Sequence, residues 1–361
     1  MSKRFASLID LRPERVCLIK PSSLGDIVHA LPVLSSLRAL WPESRFSWVV
    51  NRGFEPLLHG HPDLDETIPF DRGLLRSTVG GLGSLGGFVK ELRARRFELA
   101  IDLQGLFRSG AMSFATGASI RVGASSAREG STYFYTHQVP SPTVDEGHAV
   151  DRLLKIASAF GADVSRPRFT LPLSLQDRRW AKTALDACER PRLALNLGAR
   201  WLTKRWPPAH FAEIARRAFQ ERSASLIVVG APEDEPMVEA FRASLGKIPF
   251  LDLHGKTSLP RLASVFAEVD AVVSNDTGPL HLAAAVGTFV VGIYTCTRPE
   301  LTGPYGSEAV SVTTQVGCAG SCLTKCGDLI CMRELSPDRV WRALSPKLTL
   351  GGDRRSMARG L

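Results

Sequence analysis

Short apolar runs, each followed by a stretch with helical spacing, recur along most of this chain. In the first half Val16-Cys17-Leu18-Ile19, Phe46 to Val50, Glu98 to Leu103 and Ile120 to Gly123 read as strands. In the second half the rhythm is cleaner, with runs from Arg192 to Leu197, Ser225 to Val229, Phe250 to Leu253, Asp270 to Val273 and Phe289 to Tyr294. These runs are continuously apolar rather than alternating, the pattern of strands buried on both faces of a parallel sheet. Helices are expected between them, from about Ile27 to Leu40 with a kink at Pro32, from Pro208 to Glu221, and from Ser258 to Glu268. Pro207-Pro208 suits a helix start, where no N–H is needed. Between Leu171 and Arg190 a polar, charged helix interrupts the rhythm. The pattern predicts an α/β protein of two Rossmann-like, doubly wound domains facing each other across a cleft, residues 1–180 and 190–345, then a basic tail, 346–361, expected to be disordered.

In such sheets ligands bind beyond the carboxyl ends of the strands, and two turns at such ends carry chemistry. Ser274-Asn275-Asp276-Thr277-Gly278-Pro279-Leu280-His281 leads from an apolar strand into a small-residue helix. The N–H groups at that helix start are unpaired and carry the positive end of its dipole, which makes an anion site. The Thr277 hydroxyl and the Gly278 backbone fit a phosphate there, while Asp276 either caps the helix or joins the site. His281, one turn on, either faces the site or serves the packing. Ser22-Ser23-Leu24-Gly25-Asp26 follows the first strand. Asp26 is either a first-turn acid favoured by the dipole or a general base, and Gly25 allows a bulky substrate close approach.

Further strand ends add polar groups. Lys204, in Trp201-Leu202-Thr203-Lys204-Arg205-Trp206-Pro207, is either a solvated lysine or a diphosphate clamp. Glu233 and Asp234, after Gly230-Ala231-Pro232, either cap the next helix or accept hydrogen bonds from ribose hydroxyls. Gln104 and Arg108 follow Asp102-Leu103, and Arg72, Arg121 and Arg128 add charge in neighbouring loops; with Ser22 and Ser23 they outline a basic acceptor site or an ordinary basic surface. Gly81-Leu82-Gly83-Ser84-Leu85-Gly86 spells the dinucleotide fingerprint, but it follows Arg76 to Gly80 rather than a strand and reads as a flexible loop.

Composition narrows the partners. The 361 residues carry a net charge of +9, which favours an anionic partner. No run of 18 apolar residues exists, and Asp10, Arg12, Glu14 and Arg15 interrupt any signal-peptide core, so neither a transmembrane helix nor a secretion signal is expected. Of seven cysteines, Cys17 falls in a buried strand. Cys318, Cys322, Cys326 and Cys331 cluster at spacings wider than those of common zinc ribbons, and form either a thiol-rich loop or a structural zinc site.

Five motifs, in order between residues 15 and 345, resemble glycosyltransferase family 9, the bacterial lipopolysaccharide heptosyltransferases. They are Lys20-Pro21-Ser22-Ser23-Leu24-Gly25-Asp26-Ile27-Val28-His29, Asp102-Leu103-Gln104-Gly105, Lys204-Arg205-Trp206-Pro207, Gly230-Ala231-Pro232 and Asn275-Asp276-Thr277-Gly278-Pro279-Leu280-His281-Leu282. The resemblance implies a GT-B fold with an N-terminal acceptor domain and a C-terminal donor domain. It implies an inverting, metal-independent transfer of heptose from ADP-L-glycero-D-manno-heptose to Kdo or heptose of a lipid A core. Asp26 would be the base. Lys204 and Asp276 to Gly278 would contact the donor diphosphate region, Asp234 or its neighbour Glu233 the ribose, and the backbone of Thr257 the adenine. A monomer without a nucleic-acid partner, peripheral at the cytoplasmic face of an anionic inner membrane, fits this reading. The two-domain pattern alone also admits another nucleotide-sugar transferase, an epimerase, or a non-catalytic nucleotide-sugar-binding protein. The cysteine cluster and the tail match no family motif.

Overall fold

The first apolar run becomes β1 (Arg15–Ile19), buried from Val16 onward. Around it, in the computed structural model, which describes residues 8–71, 81–306 and 308–348, lie five parallel neighbours. They are β2 (Arg45–Asn51), β3 (Glu66–Phe70), β4 (Leu99–Asp102), β5 (Ile120–Ala124) and β6 (His137–Val139), in the order β3-β2-β1-β4-β5-β6. Val16 pairs with Phe46 on one side and Leu99 on the other. The chain winds outward from β1 to β3, then returns to β4 and winds the other way. The carboxyl ends of β1 and β4 are therefore the switch point, where a doubly wound sheet leaves a crevice.

The second sheet repeats this plan. It holds β7 (Arg192–Asn196), β8 (Ser225–Val229), β9 (Leu251–Asp252), β10 (Ala271–Asn275), β11 (Phe289–Tyr294) and β12 (Ala309–Thr313) in the order β12-β11-β10-β7-β8-β9, again all parallel. Its switch point lies between β7 and β10. By its internal contacts the chain divides into two units, Met1–Pro172 and Leu173–Leu361, one sheet in each. Leu193, Leu195, Val273, Val291, Trp206, Phe211 and Phe241 belong to the core of the second unit.

Three strands escape the periodicity. β3 contains Pro69 and β6 has three residues; both, like β12, lie at sheet edges, where one side needs no partner and the apolar signal weakens. The first long helix spans Leu24–Leu40, earlier than its apolar spacing indicates, and so takes Asp26 into its first turn. Gly81 to Gly86, expected as a loop, opens the helix Gly81–Ala94. Phe88 and Leu92 anchor that helix in a core with Phe70 and Phe97, and packing of this kind outweighs the roughly 1 kcal/mol that each glycine costs a helix. Arg72 and the tail beyond residue 348 lie outside the described residues.

Candidate functional site

In the first unit the chain leaves β1 through Lys20 and turns at Ser23, the N-cap of the helix Leu24–Leu40. Asp26 stands three residues on, and its Oδ2 accepts the Ser23 amide at 2.8 Å and the Ser23 hydroxyl at 2.7 Å. Lys20 is buried, with Nζ donating to the Leu103 carbonyl at 2.8 Å, and its charge reaches both Asp26 and Asp102. Burial opposes the charge on Asp26, but Lys20, the Ser23 bonds and His29 outweigh it and hold the carboxyl below the usual aspartate range. Asp26 is thus a capping acid that stays ionised. Gly25 is buried, Ser22 partly buried and Ser23 exposed at the same turn. The His29 ring meets His148 edge-on at 5.4 Å. His148 caps the helix Ala149–Ser158, which also carries Arg152 within electrostatic reach of Asp26 and Arg128.

At the end of β4, Asp102 folds the following turn. Its Oδ1 accepts the amides of Gln104 (2.8 Å) and Gly105 (3.0 Å), and its Oδ2 accepts the hydroxyls of Ser109 (2.8 Å) and Tyr135 (2.7 Å). Burial pushes this carboxyl above its usual range against those four donors. Tyr135 reaches it by lying across β5 at Gly123, where a Cβ would stand 2.4 Å from ring atoms. Gly123→Val is expected to evict Tyr135 and destabilise the unit by about 1–3 kcal/mol, measured as a lower urea midpoint; an unchanged midpoint refutes the packing argument. The Arg128 amide donates to the Gly105 carbonyl at 2.8 Å, which joins Gln104 and Arg128 at one turn. Arg108 is exposed on the next helix. Arg121 is occupied locally, its guanidinium bonded to the carbonyls of Phe134 and Ala118, both at 2.7 Å.

In the second unit, Trp206 fixes the loop after β7. It is fully buried, its indole N–H donates to the Leu335 carbonyl at 2.8 Å, and its amide donates to Asn275 Oδ1 at 3.1 Å. The loop then presents Lys204, whose Nζ lies 2.5 Å from Asp276 Oδ2 and 4.8 Å above the Trp201 ring. Asp276 is 6% exposed; it also accepts the Thr297 hydroxyl at 2.6 Å, and His281 Nε2 stands 3.8 Å away. Burial opposes its ionisation, but His281 and Lys204 hold its carboxyl far below the usual range. Tyr294 is buried beside it, its hydroxyl raised by burial and by the charge of Asp276.

The N-cap of the helix Gly278–Ala285 is Thr277, not Asp276. Asn196, at the end of β7, donates to Ser274 Oγ at 2.8 Å and to Thr277 Oγ1 at 3.0 Å. Together these contacts place a cation, held by a buried carboxylate, in the same unit as a helix start of positive potential.

After β8, Asp234 Oδ2 accepts the Ala231 amide at 2.9 Å. Its carboxylate packs over Gly198, where a Cβ would lie only 2.1 Å away. Glu233 is exposed, and the next acid, Glu235, is bonded to His254, which also holds Asp252 at 2.6 Å. Burial works against the charge on His254, but the two carboxylates raise its pKa above the usual histidine value. Gly255 donates to the Gly230 carbonyl at 2.9 Å, which ties the loop carrying Thr257 to the Asp234 turn.

The zinc reading of the cysteine-rich segment finds no support among the described residues. Cys318, Cys322 and Cys326 are exposed thiols, whereas Cys331 is buried in the hydrophobic core. Among the described residues no three His, Cys, Asp or Glu side chains are grouped to hold a metal. The segment instead braces the lysine loop: the Thr203 hydroxyl donates to the Leu323 carbonyl at 2.7 Å and the Cys322 amide to the Cys296 carbonyl at 2.6 Å. Sequence reasoning gives no role to Lys20, His148, Arg152, Asn196, Thr297 or Tyr294. Only Lys20, a lysine closing an apolar strand, carries a local signal.

A family model described as glycosyltransferase family 9 (heptosyltransferase) matches residues 86–327. The lipopolysaccharide heptosyltransferase 1 of Pseudomonas aeruginosa is 31% identical over 320 residues, 86% of this chain and 86% of that protein. Among solved structures, the glycosyl transferase family 9 protein of Veillonella parvula matches with a TM-score of 0.82 at 22% identity, covering 94% of this chain and 98% of that one. E. coli heptosyltransferase WaaC, solved with ADP, matches with a TM-score of 0.72 at 23% identity, covering 92% and 99%. The two doubly wound units are those of the GT-B fold.

Proposed function

The chain belongs to glycosyltransferase family 9, and from that premise we propose that it moves heptose from ADP-L-glycero-D-manno-heptose to Kdo or heptose in the inner core of lipopolysaccharide, with inversion. The observation that carries this reading is the Lys204–Asp276 pair at the β7–β10 switch point. The charge of Asp276 is taken up by Lys204, so the acid serves as the anchor that aims the ammonium rather than as a phosphate ligand. Lys204 and the helix start at Thr277 and Gly278 then meet the donor diphosphate, with His281 buried behind them. Asp234, seated over Gly198, receives the ribose hydroxyls in preference to the exposed Glu233, and the backbone at Thr257 lies along the adenine. The relative solved with ADP and the relative named for heptose transfer support the choice of donor.

On the acceptor side, Asp26 takes the proton of the attacking hydroxyl as its oxygen bonds the anomeric carbon. The bond from that carbon to the diphosphate breaks, and ADP leaves with the electron pair. Ser22, Ser23, Gly25, Gln104, Arg108 and Arg128 outline the acceptor site in this proposal, with Arg152 added by its reach to Asp26, while Arg121 is committed to the carbonyls of Phe134 and Ala118. The acceptor is an anionic glycolipid, and the protein works peripherally at the cytoplasmic face of the inner membrane. No helix among the described residues is long and apolar enough to cross a membrane.

Mass spectrometry of products formed from ADP-heptose and a panel of truncated cores tests the reaction. A mass gain of one heptose is expected. Stabilisation by a UDP-sugar but not by ADP or ADP-heptose, read by thermal shift, overturns the donor. The electrostatics around Asp26 give a second test. Lys20→Met removes the charge that depresses Asp26, so its carboxyl rises and the acid limb of the pH–rate profile moves to higher pH. An unmoved limb detaches Lys20 from the base.

A further inference from the structure

The helix Phe107–Ala115 is built inside out. Ser109, Gly110, Met112 and Ser113 are buried, while Phe107 and Phe114 are 56% and 54% exposed. A helix bathed in water on its outer face carries its apolar residues on the inner one. Here the inner face sets Met112 in the core but is otherwise small and polar, with Ser109 serving Asp102, and the phenylalanines are turned outward. Gly110 allows the turn Ser131–Phe134 to lie against this helix, since a Cβ there would stand 2.8 Å from the Phe134 ring. Phe134 is thereby set against Phe107 and Phe114, with ring centroids 5.4 Å and 6.2 Å apart. Its neighbour Tyr133 is 92% exposed. Three exposed aromatics gathered on one face make a candidate contact site.

The charge around it has one sign in excess. Arg108 and Arg128 are exposed, and the Arg121 guanidinium lies 5.5 Å over the Phe114 ring. Glu129 is the opposing acid, and it accepts the Phe107 amide at 3.3 Å. The helix directly follows the Gln104–Gly105 turn, to which Arg128 is hydrogen-bonded. We propose that this face seats the protein on an anionic bilayer, with Phe107, Phe114 and Tyr133 in the boundary between headgroups and acyl chains and the exposed Arg108 and Arg128 at the lipid phosphates. Aromatic rings favour that zone, and basic side chains beside them add attraction to anionic headgroups. The use of such a contact, to bring the Gln104 turn to a lipid-anchored acceptor, rests on the function proposed above; the surface itself does not.

Flotation of the purified full-length chain with vesicles tests it. Binding to phosphatidylethanolamine–phosphatidylglycerol vesicles is expected, weakened by salt and absent with phosphatidylcholine alone. Phe107→Ser/Tyr133→Ser should lower partitioning about tenfold or more with the melting temperature retained. In Tyr133→Trp, a blue shift of the added emission, taken as the difference from the unaltered chain, is expected on mixing with the anionic vesicles. The proposal is overturned if the unaltered chain fails to bind these vesicles, if the double variant binds as well, or if the added emission of Tyr133→Trp stays put. It is overturned equally if light scattering shows a dimer that Tyr133→Ser dissociates, which would assign the face to a second copy. Vesicle binding is read without donor or acceptor, so its failure and a failure of transfer are separate results.

Discussion

Asp26→Asn is expected to lower transfer by about 10²–10⁴-fold, the usual contribution of a positioned general base, with ADP affinity nearly intact. The two halves of that expectation have different origins. Asn keeps an oxygen that can still accept the Ser23 amide, so the helix start Leu24–Leu40 loses little, on the order of 1 kcal/mol at most. It cannot take a proton from an acceptor hydroxyl. ADP calls on the second unit, where none of the contacts around Lys204 and Asp276 involves Asp26. Initial rates followed by product mass, calorimetry with ADP and a thermal melt separate these effects. Near-normal turnover in Asp26→Asn would falsify the base assignment, and a large loss of stability would show that capping, not chemistry, is its main work.

Lys204→Met should damage both transfer and folding. Removing the cation from the diphosphate is expected to cost about 10²–10³ in rate, by analogy with loss of one preorganised charge-stabilising group. It also takes the cation from Asp276, a buried carboxylate left with Thr297, His281 and the neighbouring Tyr294. Breaking a buried pair from one side costs up to about 3–5 kcal/mol, and His281 and Thr297 keep the loss here below that limit. The double variant Lys204→Met/Asp276→Asn removes the orphaned charge, so stability should return while transfer stays lost. A double variant that recovers transfer removes Lys204 from the donor site.

The pH dependence has a definite sign. The folded-state pKa of Asp276 is depressed, so its contribution to stability is fully present above the ordinary aspartate value of about 4 and is lost as pH falls through the depressed one. In Lys204→Met the lysine's share of the depression is lost while that of His281 remains, so Asp276 protonates at a higher pH than in the unaltered chain. The deficit relative to the unaltered chain is therefore largest near neutral pH and narrows in acid, where protonation discharges the stranded group. Denaturant melts across that range check this; a pH-independent deficit means that the pair does not carry the effect.

The sheets are legible because their signal is local. A strand covered on both faces must be apolar at every position, and β7, β8, β10 and β11 announce themselves that way. The edge strands β3, β6 and β12 do not, since one side of each is free of that demand. The helix Gly81–Ala94 reads as a loop because glycine propensity is a local quantity, while Phe88 and Leu92 stabilise the helix through a core built from distant segments.

For the candidate site, the five motifs identify the turns but not the partnerships inside them. That Asp276 and Lys204 are candidates follows from strand ends alone. That the acid anchors the lysine does not, because 72 residues separate them in sequence and only the adjacency of β7 and β10 brings their carboxyl ends together. Likewise Asp26 is visible as an acid after β1, yet its depressed pKa depends on Lys20 and His29 folding back on it. Short-range periodicity and contiguous motifs therefore suffice for most strands of the two doubly wound sheets, the turns at their ends and the family. Which charges are paired, which carboxylate stands over Gly198, how the cysteine segment braces the lysine loop and why Phe107 and Phe114 face outward emerge only in the folded chain. Those features are contacts through space, and the order of strands across each switch point creates them.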